Sequence, residues 1–131
     1  MNVVITDWAL KSYLDLKHKR VFTEAEYNEQ LRPDAERLKR FPHDPKFRVN
    51  SFWGPATLGN GVNVRDGFKM KWDSIGSGKS ELRLCVAIIG SMAFLCQAFT
   101  KKGKNDTREC LNLQRYINLI MDGRYLNRGR I

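Results

Sequence analysis

The amino-acid sequence predicts a single α+β domain, and three observations support this. The chain has 131 residues and is too short for two full domains. Its hydrophobic content of 42% is enough for one sizeable core. Apolar residues recur every three or four positions in two N-terminal segments and one C-terminal segment, as they do in amphipathic helices. Most of residues 67–100 alternate apolar and polar side chains instead, which is typical of strands. We therefore expect an N-terminal helical hairpin and a C-terminal helix packed on a mostly antiparallel β-sheet.

A short strand and the first helix are predicted at the N-terminus. Val3-Val4-Ile5 is made only of β-branched residues, which favour strands. Thr6 or Asp7 can cap the helix that follows. The buried face of this helix is expected to contain Leu10, Tyr13 and Leu14.

The second helix of the hairpin has a start signal, a buried stripe and a break. Thr23 and Glu26 have the spacing of a capping box, in which each side chain bonds the backbone N–H of the other residue. Pro33 lies inside the stripe and must kink or split the helix, and Pro42 and Pro45 end it. The stripe consists of Tyr27, Leu31, Ala35, Leu38 and Phe41.

A loop and a strand meander are predicted next. Residues 47–53 could form a strand, and Gly54, Pro55 and the glycines near residue 60 indicate a loop. From Gly67 onward the period is two, and Gly90-Ser91 is a two-residue hairpin turn signal.

The last predicted element is a helix. Asp106 and Glu109 can cap it, and Gly123 can close it. Its buried face would consist of Cys110, Leu113, Ile117 and Ile120.

The charge of the chain points to a polyanionic partner. Lys and Arg number 23 against 14 Asp and Glu, a formal net charge of +9, and residues 101–131 hold 8 basic and 3 acidic side chains. Nucleic acid is favoured over an anionic membrane, because no strongly amphipathic basic helix is predicted. The longest apolar run, Val86–Ile89, is far shorter than the roughly 20 residues of a membrane span. Since no signal-peptide pattern is visible either, we expect a cytoplasmic protein.

Several familiar chemistries are not predicted. Gly76–Ser80 resembles part of a phosphate-binding loop, but Asp73 stands where the motif needs glycine, and a strand follows rather than a helix. His18 and His43 have no partner at metal-ligand spacing, so neither metal nor another cofactor is expected. The three cysteines form no CxxC pair and are expected to be reduced core thiols.

A row of cations on the predicted strands is the informative feature. Period two places Lys69 and Lys71 on one sheet face, opposite the apolar face, and Arg83 should share that open face. The hairpin turn would then place Ala98 opposite Arg83 and Lys102 opposite Lys79. A slip by one residue would instead place Gln97 opposite Arg83 and favour Lys101, and both lysines stay open as candidates. Cations without carboxylate neighbours suit a phosphodiester and can stabilise a pentacovalent phosphorus.

These residues resemble a known family. Gly67–Ser74, the turn Gly76–Ser80 and Leu82-Arg83-Leu84 together resemble the RelE/ParE superfamily of bacterial toxins, and most of all its HigB-like branch. Members of that branch read roughly glycine, a hydrophobic residue, two basic residues, a hydrophobic residue, arginine and tryptophan, then a Gly/Lys-rich turn and an arginine-bearing strand. Residues 99–106 resemble the end of the family's last strand. The resemblance implies a RelE-like domain over residues 1–123, followed by a basic tail over residues 124–131.

The resemblance also implies a function and roles for individual residues. Family members are toxins of toxin–antitoxin pairs, and most are endoribonucleases that cleave mRNA on the ribosome and are held by a cognate antitoxin. The RNA 2′-hydroxyl attacks the adjacent phosphorus, a lysine takes the proton, and Arg83 would stabilise the phosphorane. The implied catalytic set is Lys69, Lys71, Arg83 and Lys102. The implied RNA-binding set is Lys79, Lys101, Lys104, Arg108 and Tyr125.

Two other functions fit the same pattern. A ParE-like toxin would bind DNA gyrase without nuclease activity, and a basic RNA-binding accessory protein would need no activated base. The nuclease hypothesis predicts that Arg83→Ala abolishes toxicity and leaves the fold intact, because an exposed strand cation contributes little to stability.

Overall fold

One six-stranded sheet organises the chain in the computed structural model, which describes residues 1–131. The strands are β1 (Asn2–Thr6), β2 (Trp53–Thr57), β3 (Asn63–Ile75), β4 (Ser80–Ile89), β5 (Met92–Thr100) and β6 (Asn127–Arg130). Their order across the sheet is β2-β3-β4-β5-β1-β6. Only the β1–β5 pair is parallel, so the predicted α+β class and mostly antiparallel sheet are confirmed.

The first helix, α1 (Asp7–His18), begins where the sequence predicts. The Ala9 backbone N–H donates to Thr6 Oγ1 at 3.2 Å, so Thr6 is the cap. Ala9 and Leu16 are buried, whereas Leu14 is 50% exposed, and the prediction that Leu14 lies on the buried face is wrong. Leu14 precedes Leu16 by two positions, which turns it about 200° around the helix axis and away from β5.

The second helical segment changes pitch along its length. It comprises α2 (Glu24–Glu26), a π-helical turn (Tyr27–Leu31), α3 (Arg32–Glu36) and a 3₁₀ turn (Arg37–Arg40). The capping box of Thr23 and Glu26 is present. Pro33 has no N–H to donate, and the π-helical turn just before it passes directly into α3. The interruption expected at Pro33 is therefore present as a change of helical pitch. The predicted stripe is confirmed at Leu31, Ala35 and Leu38, which are buried.

The segment before β3 differs from the prediction. Pro45–Arg48 is a 3₁₀ turn and not the start of a strand, and β2 begins only at Trp53. Gly54 and Pro55, expected in a loop, lie within β2. A proline is tolerated there because β2 is an edge strand, where not every backbone N–H has a partner strand to bond.

The β4–β5 hairpin has a register that neither predicted alternative describes. Ile89 pairs with Met92, as the turn signal predicts. A bulge at Cys96 then shifts the pairing, so that Phe99 faces Arg83 instead of Ala98 or Gln97. A bulge inserts one unpaired residue, and every residue of β5 beyond it is displaced by one position.

The last helix, α4 (Asn105–Met121), has the predicted buried face and a different start. All four expected side chains are buried: Cys110, Leu113, Ile117 and Ile120. Gly123, with φ +71°, follows the helix and its N–H donates to Ile120 O. Asp106 does not form a capping box with Glu109, because its carboxylate binds Lys69 instead.

Helices cover both faces of the sheet. One hydrophobic cluster joins α1, the 3₁₀ turn Arg37–Arg40 and the sheet through Leu16, Leu38 and Met70. The other joins α4 to the sheet through Val64 and Leu113. Residues 124–131, expected as a tail, supply β6, which pairs with β1 at the edge of the sheet. No helix has both the length and the apolar character needed to cross a bilayer.

Candidate functional site

Lys71 lies at one end of the sheet, near three other cations. The group of cations consists of Lys69, Lys71, Arg83 and Lys101. Lys71 pairs with Arg83 across the β3–β4 ladder, and its Nζ donates to Asn50 O at 2.8 Å. The side chain is half-buried. The pKa of Lys71 lies below its ordinary value because burial penalises the charged amine, and because the Lys69, Arg83 and Lys101 cations repel it. A lysine with a lowered pKa holds more neutral amine at neutral pH and is better suited to accept a proton.

Arg83 is buried and does not lie on an open face. Its side chain is 7% exposed, and Nη1 donates to the backbone oxygens of Trp72 and Leu82 at 3.3 and 3.1 Å. Nη1 also contacts Asp73 Oδ1 at 3.2 Å, and Nη2 lies 3.6 Å from Glu81 Oε1. The predicted exposure of Arg83 and the absence of carboxylate neighbours are therefore both wrong. The guanidinium folds back onto the backbone of β3 and β4. The alternation of residues along a strand does not predict this contact.

Lys69 is also neutralised. It is 9% exposed, and its Nζ binds Asp106 Oδ2 at 2.7 Å, which ties β3 to the first turn of α4. Asp106 Oδ1 is buried without a hydrogen-bond partner. Lys69 thus contributes charge near Lys71 but is not free to bind a phosphate.

The end of β5 separates the two lysines between which the sequence could not decide. The backbone N–H of Lys101 donates to Glu81 O at 2.8 Å, which extends the β4–β5 ladder past Thr100. The charge of Lys101 acts on Lys71, whereas Lys102 lines a groove between α1 and α4. Each lysine therefore belongs to a different site.

The remaining predicted RNA-binding residues are dispersed. Lys79, with φ +48°, is exposed in the turn between β3 and β4. Lys104 is exposed just before α4, and Arg108 lines the groove. Tyr125 packs edge-on against Phe94 at 5.4 Å, near the start of β5, so it lies at the opposite end of that strand from Lys101. Tyr125 is therefore no part of the group of cations.

Sequence reasoning missed the groove itself. It has a volume of about 740 Å³, with walls from α1 and α4 and a floor from the end of β5. Trp8 and Tyr116 stack across it with ring centroids 4.1 Å apart. These two residues lie in helices at opposite ends of the chain, and no local pattern indicates that the helices meet.

Comparison with protein-family models, with curated proteins and with solved structures finds no match to this chain.

Proposed function

We propose that this chain is an RNA-cleaving toxin of the RelE/ParE type, most similar to the HigB-like branch, with Lys71 as its general base. The observation that carries the proposal is the half-buried Lys71 amine, whose pKa is lowered by burial and by neighbouring cations. Such an amine is neutral in a larger fraction of molecules at physiological pH than an exposed lysine is. It can therefore accept a proton and still lie within a cationic surface that attracts RNA.

The reaction would be an intramolecular transesterification. Neutral Lys71 Nζ takes the proton of a ribose 2′-hydroxyl, and the freed oxygen attacks the adjacent phosphorus. The bond from phosphorus to the 5′-oxygen then breaks, which leaves a 2′,3′-cyclic phosphate. The leaving 5′-oxygen takes a proton from water to become a hydroxyl, and the Lys71 ammonium returns its proton to the solvent. We assign to the exposed Lys101, whose charge acts on Lys71, the contact with the phosphate as negative charge develops on it.

Arg83 and Lys69 have a different part in this scheme from the one that the resemblance implied. Both are buried and bound to carboxylates, so they act on Lys71 through their charge and do not contact substrate. We assign them as positioning residues that keep the pKa of Lys71 low.

The net charge of +9 supports two partners in this proposal. One is mRNA on the ribosome, in the cytoplasm, and the other is an acidic segment of a cognate antitoxin that covers Lys71 and Lys101. A second candidate is an RNA-binding accessory protein without nuclease activity. The ion pairs of Lys69 and Arg83 favour it, because these two cations are bound to carboxylates and do not contact a phosphate. Lys71 and Lys101 then remain to bind RNA, which is a small set of cations for catalysis.

A pH–rate comparison tests the proposal. Purified protein is incubated with mRNA, with and without ribosomes, and cleavage is measured between pH 6 and 10. The parent rate should rise with pH and level off at the lowered pKa of Lys71. Lys71→Arg keeps the charge but cannot deprotonate, so it should cleave roughly a hundredfold or more slowly. Lys39→Arg, at an exposed position away from the site, is the matched control and should cleave at the parent rate.

Two outcomes would contradict the nuclease. One is a Lys71→Arg variant that cleaves as fast as the parent, since its guanidinium cannot act as the base. The other is salt-dependent RNA binding by the parent without cleavage under either condition, which would support the accessory protein.

A further inference from the structure

The groove between α1 and α4 is a second built site, separate from Lys71. Its floor is the part of β5 beyond the bulge, and the stack of Trp8 on Tyr116 joins its two walls at one end. At about 740 Å³ it falls within the roughly 300–1,000 Å³ typical of small-molecule sites. Polar residues dominate its lining, so an apolar helix does not suit it.

The floor of the groove holds an unpartnered polar group. Gln97 is 5% exposed, and its Nε2 donates to Glu109 O at 2.9 Å. Its Oε1 is buried with no donor. A buried acceptor without a partner costs stability, so Gln97 Oε1 would gain from a donor that the chain itself does not supply. Gln97 lines the groove, so a bound molecule that displaces the side chain slightly can supply a donor to Oε1.

The cations are placed along the same groove. Lys102 forms no salt bridge, whereas Arg108 has only a 3.8 Å contact with Glu109 and is 72% exposed. Lys19 pairs with Asp15 but lies in an exposed pair that a stronger anion could open. A ligand in the groove would therefore contact aromatic rings, a buried amide oxygen and exposed cationic side chains.

We infer that this groove binds one nucleotide of single-stranded RNA, with its base beside Gln97 and its phosphate at Lys102. A base supplies the N–H donor that Gln97 Oε1 lacks and a flat apolar face for Trp8 and Phe99. A phosphate supplies the anion for Lys102 and Arg108. The inference rests on the proposed function and deepens it, because it gives the nuclease a place that reads a base.

The position of the groove fits a strand that also reaches Lys71. Lys101 and Lys102 are consecutive at the end of β5, and they serve the cation group and the groove respectively. An RNA strand that passes around the end of β5 would place neighbouring nucleotides at the two sites.

An NMR titration of the full chain tests the inference with AMP, CMP, GMP and UMP as probes. At least one should cause saturable shifts of the Gln97 side-chain amide and the Trp8 indole. Ribose 5-phosphate, which lacks the base, should bind at least tenfold more weakly. Gln97→Met removes the acceptor and should raise Kd at least tenfold. Its Tm should change little, because the lost bond from Nε2 to Glu109 O is offset by the loss of the unpartnered oxygen. Lys102→Ala should raise Kd severalfold, and Lys39→Ala should not change it.

Several results would overturn the inference. One is the absence of shifts at Gln97 and Trp8 with all four nucleotides at 10 mM, a concentration far above about 1 mM, where even weak binding of roughly −4 kcal/mol is half-saturated. Another is a parent-like Kd for both Gln97→Met and Lys102→Ala. Saturation of the groove by a Glu/Asp-rich peptide, but by no nucleotide, would assign it to a protein partner instead.

The Lys71→Arg variant separates this inference from the proposed function. It should bind the nucleotides with the parent Kd, because Lys71 lies outside the groove. If the parent binds nucleotides in the groove but cleaves no RNA, the nuclease proposal fails and the groove remains a nucleotide site. If it cleaves RNA and the groove variants bind as the parent does, the inference alone fails.

Discussion

Replacing Arg83 by alanine should destabilise the fold, contrary to what the strand pattern alone suggests. The side chain is 7% exposed and donates to two backbone oxygens and to Asp73. Alanine removes two buried methylenes, worth about 1.6 kcal/mol at roughly 0.8 kcal/mol each. It also removes charge-assisted hydrogen bonds worth about 1.5–3 kcal/mol. Relief of the repulsion between Arg83 and Lys71 offsets part of this, and we expect a net loss of about 2–4 kcal/mol in the free energy of unfolding.

Arg83→Met serves as the matched variant, because it keeps the buried stem and loses only the guanidinium. Urea unfolding at pH 7 should place it between the parent and Arg83→Ala. Both variants should also raise the pKa of Lys71, since one of the cations that lower it is gone. In those molecules that remain folded, the pH–rate profile should therefore shift to higher pH. The structural role is refuted if the free energies of unfolding of Arg83→Ala and the parent differ by less than about 0.5 kcal/mol, a difference usual for exposed sites.

Two further predictions concern the core. Asp34 is 4% exposed, and burial alone would raise its pKa, but hydrogen bonds from Lys46, Trp72 and Arg37 outweigh burial and hold the pKa below its usual value. Asp34→Ala should cost about 2–3 kcal/mol, less than the roughly 3–5 of a fully buried pair, because the Lys46 and Arg37 side chains are each 34% exposed. Because the folded-state pKa of Asp34 is depressed, this stabilisation is present above about pH 4 and is lost as the pH falls through the folded-state pKa. The difference in Tm between parent and variant should therefore disappear in acid. A difference in Tm that stays constant with pH would contradict the assignment. The three free thiols should resist a disulfide reagent at pH 8 in native protein and react fully in guanidinium, since they are buried and burial raises the pKa of Cys96 to about 12; rapid labelling of native protein would contradict that burial.

Local patterns predicted the helices and most of the sheet. The buried face of α4 follows from residues three or four positions apart, and the capping box at Thr23 spans only four residues. Such signals depend on neighbours along the chain, so the sequence reveals them directly. The Ile89–Met92 pairing is local in the same sense.

The site was less accessible to prediction because it depends on distant contacts. The bulge at Cys96 has no sequence signature, yet it sets the register beyond it and the side of the sheet that each lysine reaches. Alternation placed Arg83 on the same sheet face as Lys71, as the pairing of the two residues shows. The burial of Arg83 depends instead on how its guanidinium folds back toward Asp73 and Trp72. Gln97 carries no signal at all, because its neighbour Glu109 and the walls of the groove come from separate parts of the chain.

Because of the placement of β1, the group of cations and the groove should form at different stages of folding. Strands β3, β4 and β5 follow one another and join through short turns, so the surroundings of Lys71 can assemble from contacts that are close in sequence. In contrast, Asn2 pairs with Met92, and Val4 pairs with Arg130, so β1 must close very long loops before α1 is held beside β5. The groove should therefore form later than the group of cations, and it should be lost first when β1 detaches.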